Sequence, residues 1–201
     1  MSTAPQPRMT FEEYVAWEEH QVEKHEYFDG QVYAMSGATY DHDIISNNLK
    51  FILRNQRDRI GCREHGPELK VRCPSGLGTY PDVVVICDQP QFADGKKLIL
   101  LNPQMIFEVL SLSTMGFDRG EKFVHYQSIP SLKYFVLVSS SRSLVEIYRR
   151  QSETDWVYSR AEEGCVELCT KNEPIMIELA ELYVDIEFPT LELFRGDDNS
   201  E

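Results

Sequence analysis

The chain is short of positive charge. It sets 20 Lys and Arg against 33 Asp and Glu, a formal net charge of −13. A nucleic-acid binder ordinarily carries a basic footprint. Here any such footprint must be local, for instance Lys50, Arg54, Arg57, Arg59 and Arg63, and a solvated helix face explains most of that set. Long apolar runs are missing too. None approaches the roughly 18 residues that suggest a membrane-spanning helix, and Met1 to Arg8 hold no apolar segment of the signal-peptide kind. Both absences lead to the expectation of a soluble cytoplasmic protein with no membrane partner. The cysteines are five, an odd number, at 62, 73, 87, 165 and 169. Their spacing makes a poor zinc site, and reduced thiols are expected.

Several familiar chemistries are absent. There is no G-x-x-x-x-G-K-[ST] phosphate loop, no G-x-G-x-x-G after a strand, no H-E-x-x-H and no G-x-S-x-G elbow. What remains is a set of acids in apolar surroundings. Tyr80-Pro81-Asp82-Val83-Val84-Val85-Ile86 places an acid ahead of four apolar residues. Met105-Ile106-Phe107-Glu108-Val109-Leu110 places one in mid-strand. With a period of two, Glu108 shares a face with Ile106 and Leu110, while Phe107 and Val109 face the other way, so the strand is covered on both sides. A carboxylate there is costly unless it is paired, hydrogen-bonded or bound to a metal. Asp82 is either a turn residue or a ligand, and Glu108 is either the partner of an arginine or a second ligand. On neighbouring strands about 5 Å apart, the two carboxylates can converge on one divalent cation. Lys122 adds a cation able to polarise a phosphate or help activate a water.

The hydrophobic fraction of 42% is enough for a core. Thr10 and Glu13 form a capping box for a helix over about 10–20. Asp29-Gly30 is a hairpin turn pairing Phe28 with Gln31, Tyr27 with Val32 and Glu26 with Tyr33. Glu26 is then either a site residue or a half-exposed strand acid. A long helix is expected over about 40–60, ending at Gly61. His42 in its first turn either binds phosphate or a metal-bound water, or is an ordinary first-turn polar residue. Leu69, Val71 and Cys73 alternate with Lys70 and Arg72 as a half-buried strand. Residues 88–104 read as a polar flap. Asp118 opens a helix over about 118–128, with Lys122, His125 and Tyr126 on one face and Phe123 and Val124 in the core. Strands follow at 133–139, at 144–150 as an outer strand, and at 156–159 and 165–168 in a meander, before a strand and one helical turn over 175–184.

As a set, Glu26-x-x-Asp29-Gly30, His42, Pro81-Asp82-Val83-Val84, Phe107-Glu108-Val109-Leu110-Ser111-x-Ser113-Thr114, Asp118-x-x-x-Lys122 and Tyr126 resemble the Uma2 family, within the PD-(D/E)xK nuclease superfamily. The resemblance covers about residues 9–188. It implies an α/β (α+β) fold with a restriction-endonuclease-like core: a central four-stranded mixed β-sheet flanked by helices. The N-terminal helix and hairpin and the C-terminal β-meander read above flank that core. It implies the metal acids Asp82 and Glu108, with Glu26 and His42 as outer members of the site. One departure stands out. The superfamily lysine falls two residues after the second acid, where this chain has Leu110, and the resemblance points to Lys122 instead. The expected layout is a disordered segment 1–9, a single nuclease-like domain 10–190 and an acidic tail 191–201. The expected function is a Mg²⁺-dependent (or Mn²⁺-dependent) endonuclease acting on DNA. The alternative is a catalytically silent nuclease-fold module for binding or dimerisation. Exposed-looking Tyr148, Trp156 and Tyr158 on outer strands suggest a homodimer.

Overall fold

In the computed structural model, residues 8–35, 37–111, 116 and 118–188 are described. The fold is mixed α+β, with sheets flanked by helices. The largest sheet has six strands in the order β11-β10-β9-β8-β6-β3. These are Trp156–Ala161, Val145–Arg150, Tyr134–Ser139, Met105–Leu110, Val83–Ile86 and Arg63–His65. Only β8 and β9 run parallel in it. A five-stranded sheet, β2-β1-β5-β4-β7, comprises Gln31–Ala34, His25–Phe28, Gly78–Thr79, Lys70–Arg72 and Ile99–Leu100. A third sheet pairs β12 (Cys165–Leu168) with β13 (Ile175–Glu178). The four-stranded expectation therefore undercounts the central sheet.

The period-two reading of β8 explains its burial. Val83, Val85, Met105, Phe107 and Val109 face α2 (Tyr40–Ile60), which supplies Ile45, Leu49, Ile52, Leu53 and Ile60. Val84, Ile86, Ile106 and Leu110 face the other side, against Val71, Leu77, Tyr126 and Ile129. Glu108 belongs to this second face and is 4% exposed.

Local chemistry sets the element ends. Thr10 and Glu13 make the capping box of α1 (Phe11–Glu18). Asp29 and Gly30 both have positive φ, 47° and 79°, as a two-residue hairpin turn requires. The register is the expected one, with Glu26 opposite Tyr33. Gly61 closes α2 at φ 67°.

Other expectations change. Arg8 and Met9, placed with the N-terminal segment, are tied to the hairpin: Met9 N–H donates to the Gly30 carbonyl and Arg8 pairs with Asp29. The 88–104 flap contains β7, which pairs in parallel with β4. The segment Asp118–Lys122 is π-helical and runs into a short α3, Phe123–Gln127. Val124 is 63% exposed, not core, because Lys122 and Tyr126, on the opposite side of the helix, face inward. Strand β10 is internal and β11 is the edge. Strands β12 and β13 leave the meander to cover α2, followed by α4 (Leu179–Leu182). Cys62 and Cys87 form a disulfide rather than staying reduced. The β3–β6 register, Arg63 opposite Ile86, brings these two flanking residues face to face. The turn residues Ser113 and Thr114 and the tail 191–201 lie outside the described residues.

Candidate active site

Strand β6 starts at Val83 because Pro81 has no N–H to continue the ladder. Val83 pairs with Phe107, so Asp82 falls opposite Glu108 in the next register position. Beyond the end of β6, the Asp82 side chain takes over as acceptor: Val109 N–H donates to its Oδ2 at 2.7 Å. Asp82 N–H lies 3.4 Å from Glu108 Oε2. The two acids are thus held side by side by backbone pairing.

Lys122 enters from the π-helical segment. Its Nζ is 3.0 Å from Glu26 Oε1, 3.2 Å from Asp118 Oδ1 and 3.3 Å from Glu108 Oε1. Arg119, the neighbour of Asp118, forks onto Glu146 of β10 at 2.9 and 2.5 Å and fastens the segment to the sheet. Tyr126 shares the inward face with Lys122 but bonds the acid. Its hydroxyl donates to Glu108 Oε1 at 2.6 Å. His125 leaves that face, bonding Ser75 and packing on Phe28. Glu26 accepts from Thr79 Oγ1 at 2.5 Å. His42 Nε2 donates to Asp82 Oδ2 at 3.1 Å. Its Nδ1 is buried without a partner among the described residues, as is Ser46 Oγ one turn along α2.

The five residues singled out in the sequence, Glu26, His42, Asp82, Glu108 and Lys122, therefore form one connected cluster. In the sequence Asp118 reads as the opener of the helix and part of the Asp118-x-x-x-Lys122 motif, not as a site residue; in the structure it is a buried third acid on the ammonium. Sequence reasoning missed Thr79, which orients Glu26. The i,i+4 spacing of Asp118 and Lys122 was the available signal for the first. For Thr79 there was none, since its contact crosses from β5 to β1.

Electrostatics follow from this crowding. Burial pushes the Glu108 carboxyl up, with Asp82 and Asp118 adding repulsion, while Lys122 and the Tyr126 hydroxyl pull the other way. The net result is about 8. Burial disfavours the Lys122 ammonium, yet Glu108, Glu26 and Asp118 outweigh it and keep its pKa above the ordinary lysine value. Burial also works against charged His42, but Asp82 prevails and raises its pKa.

The model of the Uma2 family, described as "Putative restriction endonuclease", matches residues 11–172. The chain belongs to the Uma2 family. Two Synechocystis sp. proteins are similar along most of its length. "Uncharacterized protein slr1290" is 40% identical over 156 residues, covering 77% of this chain and 81% of that protein. "Uncharacterized protein sll1609" is 34% identical over 155 residues, covering 74% and 85%. Among solved structures, a "putative nuclease belonging to DUF820" from Anabaena variabilis superposes with a TM-score of 0.66. It shares 16% identity and covers 87% of this chain and 97% of that one. At that identity the likeness concerns the fold alone. No helix among the described residues is long and apolar enough to cross a membrane.

Proposed function

We propose that this Uma2 protein is a divalent-metal-dependent endonuclease that hydrolyses phosphodiester bonds in DNA, with residues 10–190 acting as one domain. The observation that carries this reading is the pairing of Asp82 with Glu108 beside the Lys122 ammonium. Glu26, Glu108 and Asp118 surround the Lys122 ammonium and Asp82 stands beside Glu108, so acids outnumber the one lysine. Oxygen donors with uncompensated charge suit a hard dication. Among the described residues no group of three or more His, Cys, Asp or Glu side chains is placed to hold a metal ion. A bound ion would therefore rest on the Asp82–Glu108 pair, and Mg²⁺ can be held by one or two carboxylates with waters and substrate phosphate filling its octahedron.

Asp82 and Glu108 would hold Mg²⁺ or Mn²⁺. The ion would supply charge stabilisation at the phosphate and lower the pKa of a bound water. The remaining work belongs to the chain. Glu26 and Asp118 hold the Lys122 ammonium charged and fixed, so that it can donate to a phosphate oxygen or orient the attacking water. His42 holds Asp82 Oδ2 in place by its Nε2–H, as Val109 does from the other strand.

Calorimetric titration with Mg²⁺ and Mn²⁺ is the test. Wild type binds, and Asp82→Ala loses at least about tenfold in affinity. Unchanged binding in the variant removes the ion from this pair.

The net charge of −13 favours a second reading, a silent module that uses the fold for binding. Under it, metal binding persists without cleavage of any DNA or RNA. We further propose a homodimer formed along β11. This edge strand leaves Val157 37% and Tyr158 49% exposed, and an open edge is a template for pairing. Light scattering at tens of micromolar should give twice the 23.3 kDa chain mass; a monomer there contradicts the dimer.

A further inference from the structure

Lys70 lies outside the acid site, in β4. Alternation with Leu69 and Val71 places it on a polar face, yet it is only 5% exposed. Its Nζ sits 4.1 Å from the Tyr14 ring centre and 5.1 Å from that of Tyr80. Among the described residues the Lys70 Nζ makes no hydrogen bond and no ion pair. The amine lines a pocket of about 190 Å³ between the end of α1 and strands β4 and β7, whose apolar wall is Val15, Leu98 and Ile99.

Three carboxylates rim this pocket, but each is already engaged. Glu18 pairs with His25 at 3.1 Å and accepts the Tyr80 hydroxyl at 3.0 Å. Glu19 pairs with Lys96 at 2.8 Å, and Glu68 with Lys24. None comes within ion-pairing distance of Lys70. Burial accordingly pushes the Lys70 ammonium down to about 8, with Glu18 and Glu19 acting in the opposite direction. A dehydrated lysine without a counter-ion is the form in which the amine becomes a nucleophile.

We propose that this pocket binds small uncharged aldehydes or ketones and that Lys70 Nζ condenses with them to an imine. The neutral amine's lone pair forms the N–C bond at the carbonyl carbon. Proton transfer from nitrogen to oxygen gives the carbinolamine. The C–O bond then breaks, and both amine hydrogens leave with the oxygen as one water. Protonation of the imine restores a cation between the Tyr14 and Tyr80 faces, where the rings and the Glu18 charge favour it. The acidic rim repels anionic electrophiles such as acyl phosphates, and the apolar wall receives the carbon side of a neutral carbonyl.

Reductive trapping of the full chain tests this, using propanal with cyanoborohydride followed by peptide mapping at pH 6–10. At pH 7.5 Lys70 should be alkylated about tenfold or more faster than exposed Lys96 and Lys171, because its neutral fraction is far larger. Its rate should rise with a midpoint near 8, and the preference should vanish in urea. Lys70→Met, which keeps an unbranched chain between the rings, should lose the fast site alone. If that variant fails to fold, the wild-type map still decides. Alkylation of Lys70 no faster than of Lys96 and Lys171, or a preference that survives urea, overturns the proposal.

Discussion

Glu108→Gln melts higher than wild type in metal-free buffer and loses metal-dependent cleavage. The stability half follows from the raised carboxyl pKa. Its ordinary value is 4.5 and its folded value about 8. Between these the folded chain holds a proton that the unfolded chain releases, so stability falls as pH rises through that window. Glutamine has no such dependence. The two proteins should therefore melt alike near pH 5 and diverge by on the order of a few kcal/mol at pH 8 and above, a Tm gap of several degrees. The amide can still accept from Tyr126 through Oε1. Thermal melts from pH 5 to pH 9 check this. A constant gap, or a less stable variant at pH 8, contradicts the repulsion ascribed to the site. Adding Mg²⁺ should stabilise wild type more than the variant, which lacks one of the two proposed ligands.

Lys122→Met is expected to be the most damaging single change. It leaves Glu26, Glu108 and Asp118 facing one another with no ammonium. Removing one partner of a buried ion pair costs on the order of 3–5 kcal/mol. Protonation of the stranded acids relieves part of this, so the deficit should shrink in acid. Lys122 itself stays charged up to its raised folded pKa, and its contribution persists across the neutral range. Pairing the change with Glu108→Gln should recover part of the lost stability, because one of the repelling charges is gone. Urea melts of the two single variants and the double variant measure this. Strictly additive effects would mean that Lys122 and Glu108 do not share a charge network.

The acid site was legible because it breaks a local rule. A carboxylate at Glu108 in a strand apolar on both faces has no bland place to go, and Pro81 fixes where the strand of Asp82 begins. Backbone register then does the rest, setting Asp82 opposite Glu108. The capping box at Thr10, the Asp29-Gly30 turn and the Gly61 helix end were likewise legible, each being decided within a few residues. Nonlocal features were not. Lys70 reads as the polar half of an alternating strand, and only the packing of α1 onto β4 reveals that it is buried. The π turn over Asp118–Lys122 leaves no periodic signature, and Val124 was placed in the core because the burial of Lys122 and Tyr126 on the opposite side of the helix is not visible in so short an element. The Cys62–Cys87 pairing depends on the β3–β6 register, and β7 hides inside a polar loop because two residues are too few to show alternation.

Nicking of supercoiled plasmid DNA with Mg²⁺ or Mn²⁺, by wild type beside Asp82→Asn, tests the central claim most directly. The carboxylate–lysine site predicts metal-dependent nicking that EDTA abolishes and that falls by about a hundredfold or more in the variant. Equal nicking by both proteins, or none by a wild type that binds the metal, contradicts it.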